Sequence, residues 1–287
     1  MLKYNMEKTK DVFEYIKNET YIDKLSGKAV YLWKDEISDE TVYKQAQIAV
    51  NNILQSKYTK CKKFYRIAGQ SGSGKTTQLL PVILRLEKEK GNNPIIIAVR
   101  NFAKYHPNYD EIITKFEAGE MRERTNSFAL KCLCTVFAEL ARRGYLIILD
   151  LTILTPKFEQ FISRQLQDNS YEAEYHILAV SNQLSDRFIE KRKNDISSSE
   201  GGKIVYTNSK NYYYYIMPFG VDYLVHNDKT SNAFVWTAYN RQPIYQGKFS
   251  GTIKALEIGR SKTGELVYTE DELLQSKYNY LLNNERK

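Results

Sequence analysis

An α/β domain whose parallel sheet is covered by helices on both faces is what this 287-residue sequence predicts, and three observations carry the expectation. Two continuous apolar runs rich in branched residues, Pro94–Val99 and Tyr145–Asp150, read as strands buried on both faces, because one-sided strands alternate instead. Stretches of helical periodicity surround them, at Ser38–Leu54, Thr125–Arg143, Pro156–Gln167 and Leu184–Arg192. A glycine-rich turn, Gly69–Thr76, joins a short strand, Phe64–Ala68, to an amphipathic segment from Thr77 to Leu86. Strands that alternate with helices build a parallel sheet, and such sheets bind ligands at the carboxyl ends of their strands.

Each element has a local cause. Residues 1–36 form a polar extension with two short helices and a Ser26-Gly27 turn, and residues 37–287 form the main domain. Ser38 or Asp39 caps the first periodic helix. Pro81 kinks the helix after the glycine-rich turn or ends its regular bonding, since it has no N–H to give the Thr77 carbonyl. Gly144 closes the long helix, and Ala173–Val180 is a further strand. Asp222–His226, Phe234–Tyr239 and Pro243–Phe249 read as short C-terminal strands that extend the sheet or form a hairpin. Ser197–Gly202 reads as a flexible loop beside basic residues.

Composition narrows the classes. Hydrophobic residues make up 42%, enough for a substantial core. No apolar run approaches the ~18 residues of a membrane span. Met1–Lys10 is polar, without the apolar region of a signal peptide. Cys61, Cys132 and Cys134 make no paired framework and no metal set, which favours a reducing cytoplasm. The net charge of +8 invites a nucleic-acid partner, but much of it lies among glutamates on helical faces. An anionic small substrate accounts for the remainder. The 23 tyrosines cluster at Tyr212–Tyr215, where four in a row on a helix face all sides and serve packing more than base stacking.

The turn itself carries chemistry. Gly69, Gln70, Ser71, Gly72, Ser73, Gly74, Lys75 and Thr76 complete the pattern G-x-x-x-x-G-K-[ST], followed by Thr77. Its glycines let backbone N–H groups curl around a phosphate, and the helix N-terminus adds a favourable dipole. Lys75 reaches the β- and γ-phosphates of ATP or GTP, and the Thr76 hydroxyl sits on Mg²⁺. Asp150, the acid ending a strand, reads either as a Mg²⁺ ligand through water or as a general base.

The chain resembles the zeta toxin family of P-loop kinases from about Asp39 to about Gly247. The resemblance rests on the Gly69–Thr76 loop, on Phe102 with His106-Pro107-Asn108-Tyr109-Asp110, on Gly144-Tyr145 leading to Asp150 and Thr152, and on Ala179-Val180 followed by Arg192. It implies transfer of a γ-phosphate to a hydroxyl of a small, nucleotide-activated sugar such as UDP-N-acetylglucosamine. Arg192 and Lys203 then contact the nucleotide phosphates, His106 and Thr152 lie on the acceptor side, and a small helical antitoxin is the implied partner. By their own sequence context Arg192 and Lys203 also read as solvated surface charges and His106 as a packed loop residue. The family pattern places two aspartates before Phe102, the second acting as base, where this chain has Ala98 and Arg100. A family glutamate on the long helix falls near Cys134.

Three explanations of that departure stand side by side. Asp110 or Asp150 replaces the base, Arg100 binds an anionic acceptor through its fixed fork, or transfer is lost and nucleotide binding kept. The functions that follow are a zeta-like kinase, a nucleotide-binding regulator without phosphotransfer, and a polynucleotide kinase.

Overall fold

The computed structural model describes residues 2–18, 20–22, 29–31, 37–116, 118–196, 207–263, 266 and 268–285. In chain order these form α1 (Leu2–Asn18), β1 (Thr20–Ile22), β2 (Ala29–Tyr31), α2 (Asp39–Ile53), β3 (Lys63–Ala68), α3 (Leu80–Glu89), β4 (Ile95–Ile97), α4 (Tyr109–Lys115) and α5 (Ala118–Arg142). Then follow β5 (Ile147–Asp150), α6 (Pro156–Asp168), β6 (Glu172–Leu178), α7 (Asn182–Ile196), α8 (Thr207–Asn227), β7 (Asn232–Trp236), β8 (Tyr245–Gly247), α9 (Thr252–Ser261) and α10 (Glu270–Glu285). The main sheet has six strands in the order β4-β5-β3-β6-β7-β8. Its first five run parallel, and β8 returns antiparallel along β7. This is the predicted doubly covered α/β architecture, with β1 and β2 as a separate antiparallel pair.

One apolar cluster lies beneath α1, α2, α5, α6, α8 and α9, and a second lies beneath α3, α7 and α10 on the other face. Helix α5 is buried on every side from Ser127 to Ala141, and its one polar stripe, Ser127, Lys131, Thr135 and Glu139, is enclosed with the rest. Cys132 and Cys134 sit there, fully enclosed, and burial pushes both thiols up. Even Lys131 of this helix is enclosed, its ammonium paired with Asp39 at 3.1 Å and lying over the Phe13 ring of α1. Ser38 is the N-cap of α2, accepting from the Thr41 N–H at 3.3 Å.

The described part of residues 1–36 holds one 17-residue helix, α1, and the antiparallel pair of β1 and β2 in place of the two short helices expected, and further expectations need correction. Asp222–His226 is not a strand but the last part of α8. Pro218 and Gly220 both have poor helix propensity, yet Tyr213, Met217, Val221 and Leu224 form one buried helical stripe, and packing overrides propensity. At Pro81 regular bonding ends, the second of the two outcomes expected there, and the helix type changes. Lys75–Leu79 is a π turn, in which the Leu80 N–H reaches the Lys75 carbonyl, and α3 begins with Pro81 in its first turn, where no donor is needed. The C-terminal region also holds more than short strands, because α9 and α10 pack on opposite faces of the sheet. The Ser26-Gly27 turn and the Ser197–Gly202 loop lie outside the described residues. Ile96 of β4 is exposed, since this strand is an edge of the sheet and not a central member.

Candidate active site

Strand β3 delivers the chain to the carboxyl edge of the sheet at Ala68, and the Gly69–Thr76 loop curls back to start the π turn. Gly69, Gly72 and Gly74 have φ of +146°, +75° and +93°, conformations that side-chain-bearing residues rarely adopt. The loop is pinned at its base. Gln70 Nε2 donates to the Val180 carbonyl at 2.6 Å and to Ser185 Oγ at 2.9 Å, which ties the loop to the end of β6 and to α7. Lys75 Nζ donates to the carbonyls of Gly69 at 2.5 Å and Gln70 at 3.1 Å, so its charge lies over the concave side of its own loop. The buried Ser73 Oγ and Gln78 Oε1 have no hydrogen-bond partner.

The neighbouring strand ends bring two further groups to this loop. Asp150 ends β5, the strand paired beside β3, with Ile67 opposite Asp150 in register. Its Oδ2 lies 3.5 Å from Thr76 Oγ1 and 2.8 Å from Arg100 Nη2, while the buried Oδ1 has no hydrogen-bond partner. Arg100 stands in a short 3₁₀ turn, Val99–Asn101, just past β4. The Arg100 side chain is 56% exposed and that of Asp150 only 1%. Loop, hydroxyl, carboxylate and guanidinium thus meet at one edge, as the sequence expectation places them.

Other candidates are placed differently. His106 turns towards α5, its ring edge-on to Phe128 at 5.0 Å and its Nδ1 accepting from the Asn108 N–H at 3.1 Å. The Thr152 hydroxyl points into the core, donating to Met217 Sδ at 3.4 Å, and the Thr152 carbonyl accepts from Arg66. Asp110 is exposed in the first turn of α4, where a carboxylate complements the helix dipole. Cys134 is enclosed within α5. Arg192 belongs to α7 and its side chain is not among the described ones; Lys203 lies outside the described residues.

Two groups escaped the sequence reading. Ser185 is an inconspicuous helix serine until the fold sets it against Gln70. Arg66 and Glu159 form a fully buried pair at 3.1 Å that holds the segment after Asp150. Arg66 Nη2 donates to the Thr152 carbonyl at 2.5 Å, and Glu159 Oε1 accepts from the Leu154 N–H at 2.7 Å. The signal for such a pair is a charged residue inside an otherwise apolar strand, Phe64-Tyr65-Arg66-Ile67-Ala68.

Fold and site together define a protein of the P-loop kinase-like fold, with its glycine-rich loop on the central strand and an acid on the strand beside it. The Zeta toxin family model matches residues 50–218, more than half of the chain. The chain belongs to the zeta toxin family. It is 26% identical to a zeta toxin of Enterococcus hirae over 116 residues, 40% of this chain and 39% of that protein. It is 29% identical to the toxin PezT of Streptococcus pneumoniae over 120 residues, 42% of this chain and 45% of that protein. These matches therefore span less than half the length of either curated relative. Among solved structures, one from the PezAT chromosomal toxin–antitoxin system of Streptococcus pneumoniae superposes with a TM-score of 0.57 at 21% identity, covering 86% of this chain and 98% of that one. The AvrRxo1-ORF1:ORF2 complex with ATP superposes with a TM-score of 0.54 at 11% identity, covering 93% and 89%. Both likenesses concern the fold. Among the described residues, no helix is long and apolar enough to cross a membrane.

Proposed function

We propose that the chain is an ATP- or GTP-dependent kinase that transfers the γ-phosphoryl group to a hydroxyl of a small, nucleotide-activated acceptor of the UDP-N-acetylglucosamine kind. The observation that supports this best is the meeting of the complete phosphate loop with Asp150 and Arg100 at one sheet edge. In this reading the loop N–H groups and Lys75 hold the β- and γ-phosphates. Arg192 and Lys203 add nucleotide contacts, as the family resemblance implies.

The donor set suits Mg²⁺. Thr76 Oγ1 and the Asp150 carboxylate lie side by side, and Asp150 Oδ1 lacks any hydrogen-bond partner. Among the described residues no cluster of three or more His, Cys, Asp or Glu side chains is present, so the protein supplies few ligands. Mg²⁺ keeps several waters and takes the rest from nucleotide phosphates, which fits that economy. When bound, it neutralises charge on the transferring group. Thr76 and Asp150 would hold it in place.

Arg100 takes the position of the family base and cannot accept a proton. Phosphoryl transfer through a loose transition state depends mainly on positioning and charge neutralisation, and asks less of a base. Arg100 therefore acts as an acceptor-side clamp, its half-exposed guanidinium leaving Asp150 to meet an anionic group of the acceptor. The bond from the acceptor oxygen to phosphorus forms as the bond to the β-phosphate oxygen breaks. The hydroxyl proton ends on the phosphoryl oxygens of the product.

One observation favours a second reading. The Arg100–Asp150 ion pair neutralises an acid beside the phosphate loop, which suits a protein that binds nucleotide and transfers nothing. Incubating the purified chain with Mg²⁺, ATP or GTP, and UDP-N-acetylglucosamine separates the two. A phosphorylated sugar nucleotide supports the kinase; nucleotide binding with no product on this or any pooled acceptor supports the second. A small helical antitoxin that covers the nucleotide site is the partner we propose, on the family resemblance and on the toxin–antitoxin system to which the PezAT neighbour belongs.

A further inference from the structure

Helix α9 reaches the same edge of the sheet from the far side. Gly259 packs so closely on the residues just past β6 and β7 that an added methyl would sit 2.5 Å from the Ala179 Cβ and 3.3 Å from Thr237 Cγ2. Ala179 adjoins Val180, whose carbonyl anchors Gln70 of the phosphate loop. Arg260 follows Gly259, and its guanidinium lies over the Tyr214 ring of α8, 4.1 Å from the centroid.

The Arg260 side chain is mostly buried, and its Nε and Nη2 atoms are shielded from solvent without a hydrogen-bond partner. Those two atoms share one edge of the guanidinium plane, and their N–H bonds run parallel. That edge is the fork that grips a carboxylate or phosphate with two bonds. Arg66 makes a useful contrast. Its unpaired atoms are Nε and Nη1, which form no such fork, and its Nη2 is committed to Thr152 and Glu159. A cation in the last turn of α9 also complements the helix dipole, which accounts for the sign of the charge but not for an unused, desolvated fork. Burial pushes the guanidinium down to about 10, so it stays charged at neutral pH. A buried cation with its fork unfilled is costly, and an oxyanion removes that cost.

We infer that Arg260, held flat by Tyr214, forms a second oxyanion site at the carboxyl edge of β6 and β7, separate from the phosphate loop, for the phosphate or carboxylate group of a small-molecule ligand. Nothing in the site requires phosphotransfer, so it stands whichever reading of the chemistry holds. The tyrosine-rich segment gains a role here. Tyr213 packs in the core, and the Tyr214 ring lies under the Arg260 guanidinium.

The test uses the full chain carrying Lys75→Ala, to weaken anion binding at the phosphate loop. Inorganic phosphate and malonate are titrated separately by calorimetry, with and without Arg260→Lys. One of the two anions is expected to bind saturably, and Arg260→Lys, which keeps the charge but loses the fork, is expected to weaken it at least tenfold. Tighter binding of phosphate identifies a phosphoryl ligand, and tighter binding of malonate a carboxylate. Binding of neither anion, or binding unchanged by Arg260→Lys, overturns the inference. The ligand-free thermal midpoint supplies an independent check. Arg260→Met is expected to leave it unchanged or raised, whereas a fall of several degrees would mean that the fork is satisfied within the chain, and would also overturn it.

Discussion

Arg100 Nη2 lies 2.8 Å from Asp150 Oδ2, and this single ion pair joins the carboxyl ends of β4 and β5. The acid is fixed and buried, whereas the arginine is more than half exposed and able to exchange partners. Removing the arginine leaves the buried Asp150 carboxylate with only the Thr76 hydroxyl, at 3.5 Å, as a hydrogen-bond partner among the described residues. Arg100→Ala is therefore expected to lower the unfolding free energy by about 1–3 kcal/mol. If the guanidinium serves the acceptor, kcat/KM for the acceptor falls at least about tenfold while nucleotide affinity stays within about threefold. Steady-state kinetics beside nucleotide titration check this. An equal loss in nucleotide affinity would move Arg100 to the nucleotide side.

Asp150→Asn tests the metal assignment. The amide keeps the size of the carboxylate but not its charge, and Mg²⁺ prefers charged oxygen ligands. The wild-type chain is expected to bind ATP more tightly with Mg²⁺ than without. In the variant that difference should shrink to within about twofold, a loss on the order of 1 kcal/mol or more. Titrations with and without Mg²⁺ measure it, and an undiminished Mg²⁺ effect would remove Asp150 from the metal.

The Arg66–Glu159 pair holds the segment behind Asp150 from beneath the sheet. Burial alone raises the Glu159 carboxyl, and Arg66 and the Leu154 N–H act against that. Arg66→Met leaves the acid uncompensated, and breaking such a pair costs about 3–5 kcal/mol. The double variant Arg66→Met/Glu159→Met removes both charges and is expected to recover most of that loss. Urea unfolding of the two variants and the wild type gives the comparison. A double variant as unstable as the single one would mean that the hydrogen bonds to Thr152 and Leu154, and not the charge balance, set the cost.

Lys277 of α10 offers a pH dependence. It is fully buried, its Nζ has no hydrogen-bond partner and lies 6.0 Å from the Trp236 ring centroid, and burial pushes the ammonium down to about 8 from its ordinary 10.5. Below about pH 8 both folded and unfolded chains carry the proton, and the folded state bears the full penalty of a buried charge. Between about 8 and 10.5 the unfolded chain holds more protons, so stability rises with pH. Lys277→Met is expected to stabilise the protein at pH 7 by on the order of 2–3 kcal/mol, with the gain fading above pH 8. Thermal unfolding from pH 6.5 to 9.5 checks both sign and window.

The sequence carried the parts of this molecule that depend on local chemistry. The phosphate loop declares itself by glycine spacing, and β5 by an unbroken apolar run closed by Asp150. Ser38 announces its cap. What stayed hidden depends on tertiary contact. Nothing within α8 tells that Pro218 and Gly220 are tolerated, because the tolerance comes from burial of Tyr213, Met217 and Val221. Thr152 sits two residues beyond Asp150 in the family spacing, yet Met217 and Arg66 draw it into the core. Arg100 was recognisable as a departure from the family pattern, but its bond to Asp150 requires β4 beside β5. Gly259 inside a helix was the available sign of a close approach at Arg260.

The central claim is that the phosphate loop serves transfer and not binding alone. Incubation with γ-labelled ATP and Mg²⁺ in a cell metabolite extract, beside Lys75→Ala, tests it most directly. A new labelled small molecule that forms with the wild-type chain and disappears with Lys75→Ala is the expected result. ATP binding without any labelled product would contradict the kinase, and would mean that Arg100 at the place of the base ended the chemistry.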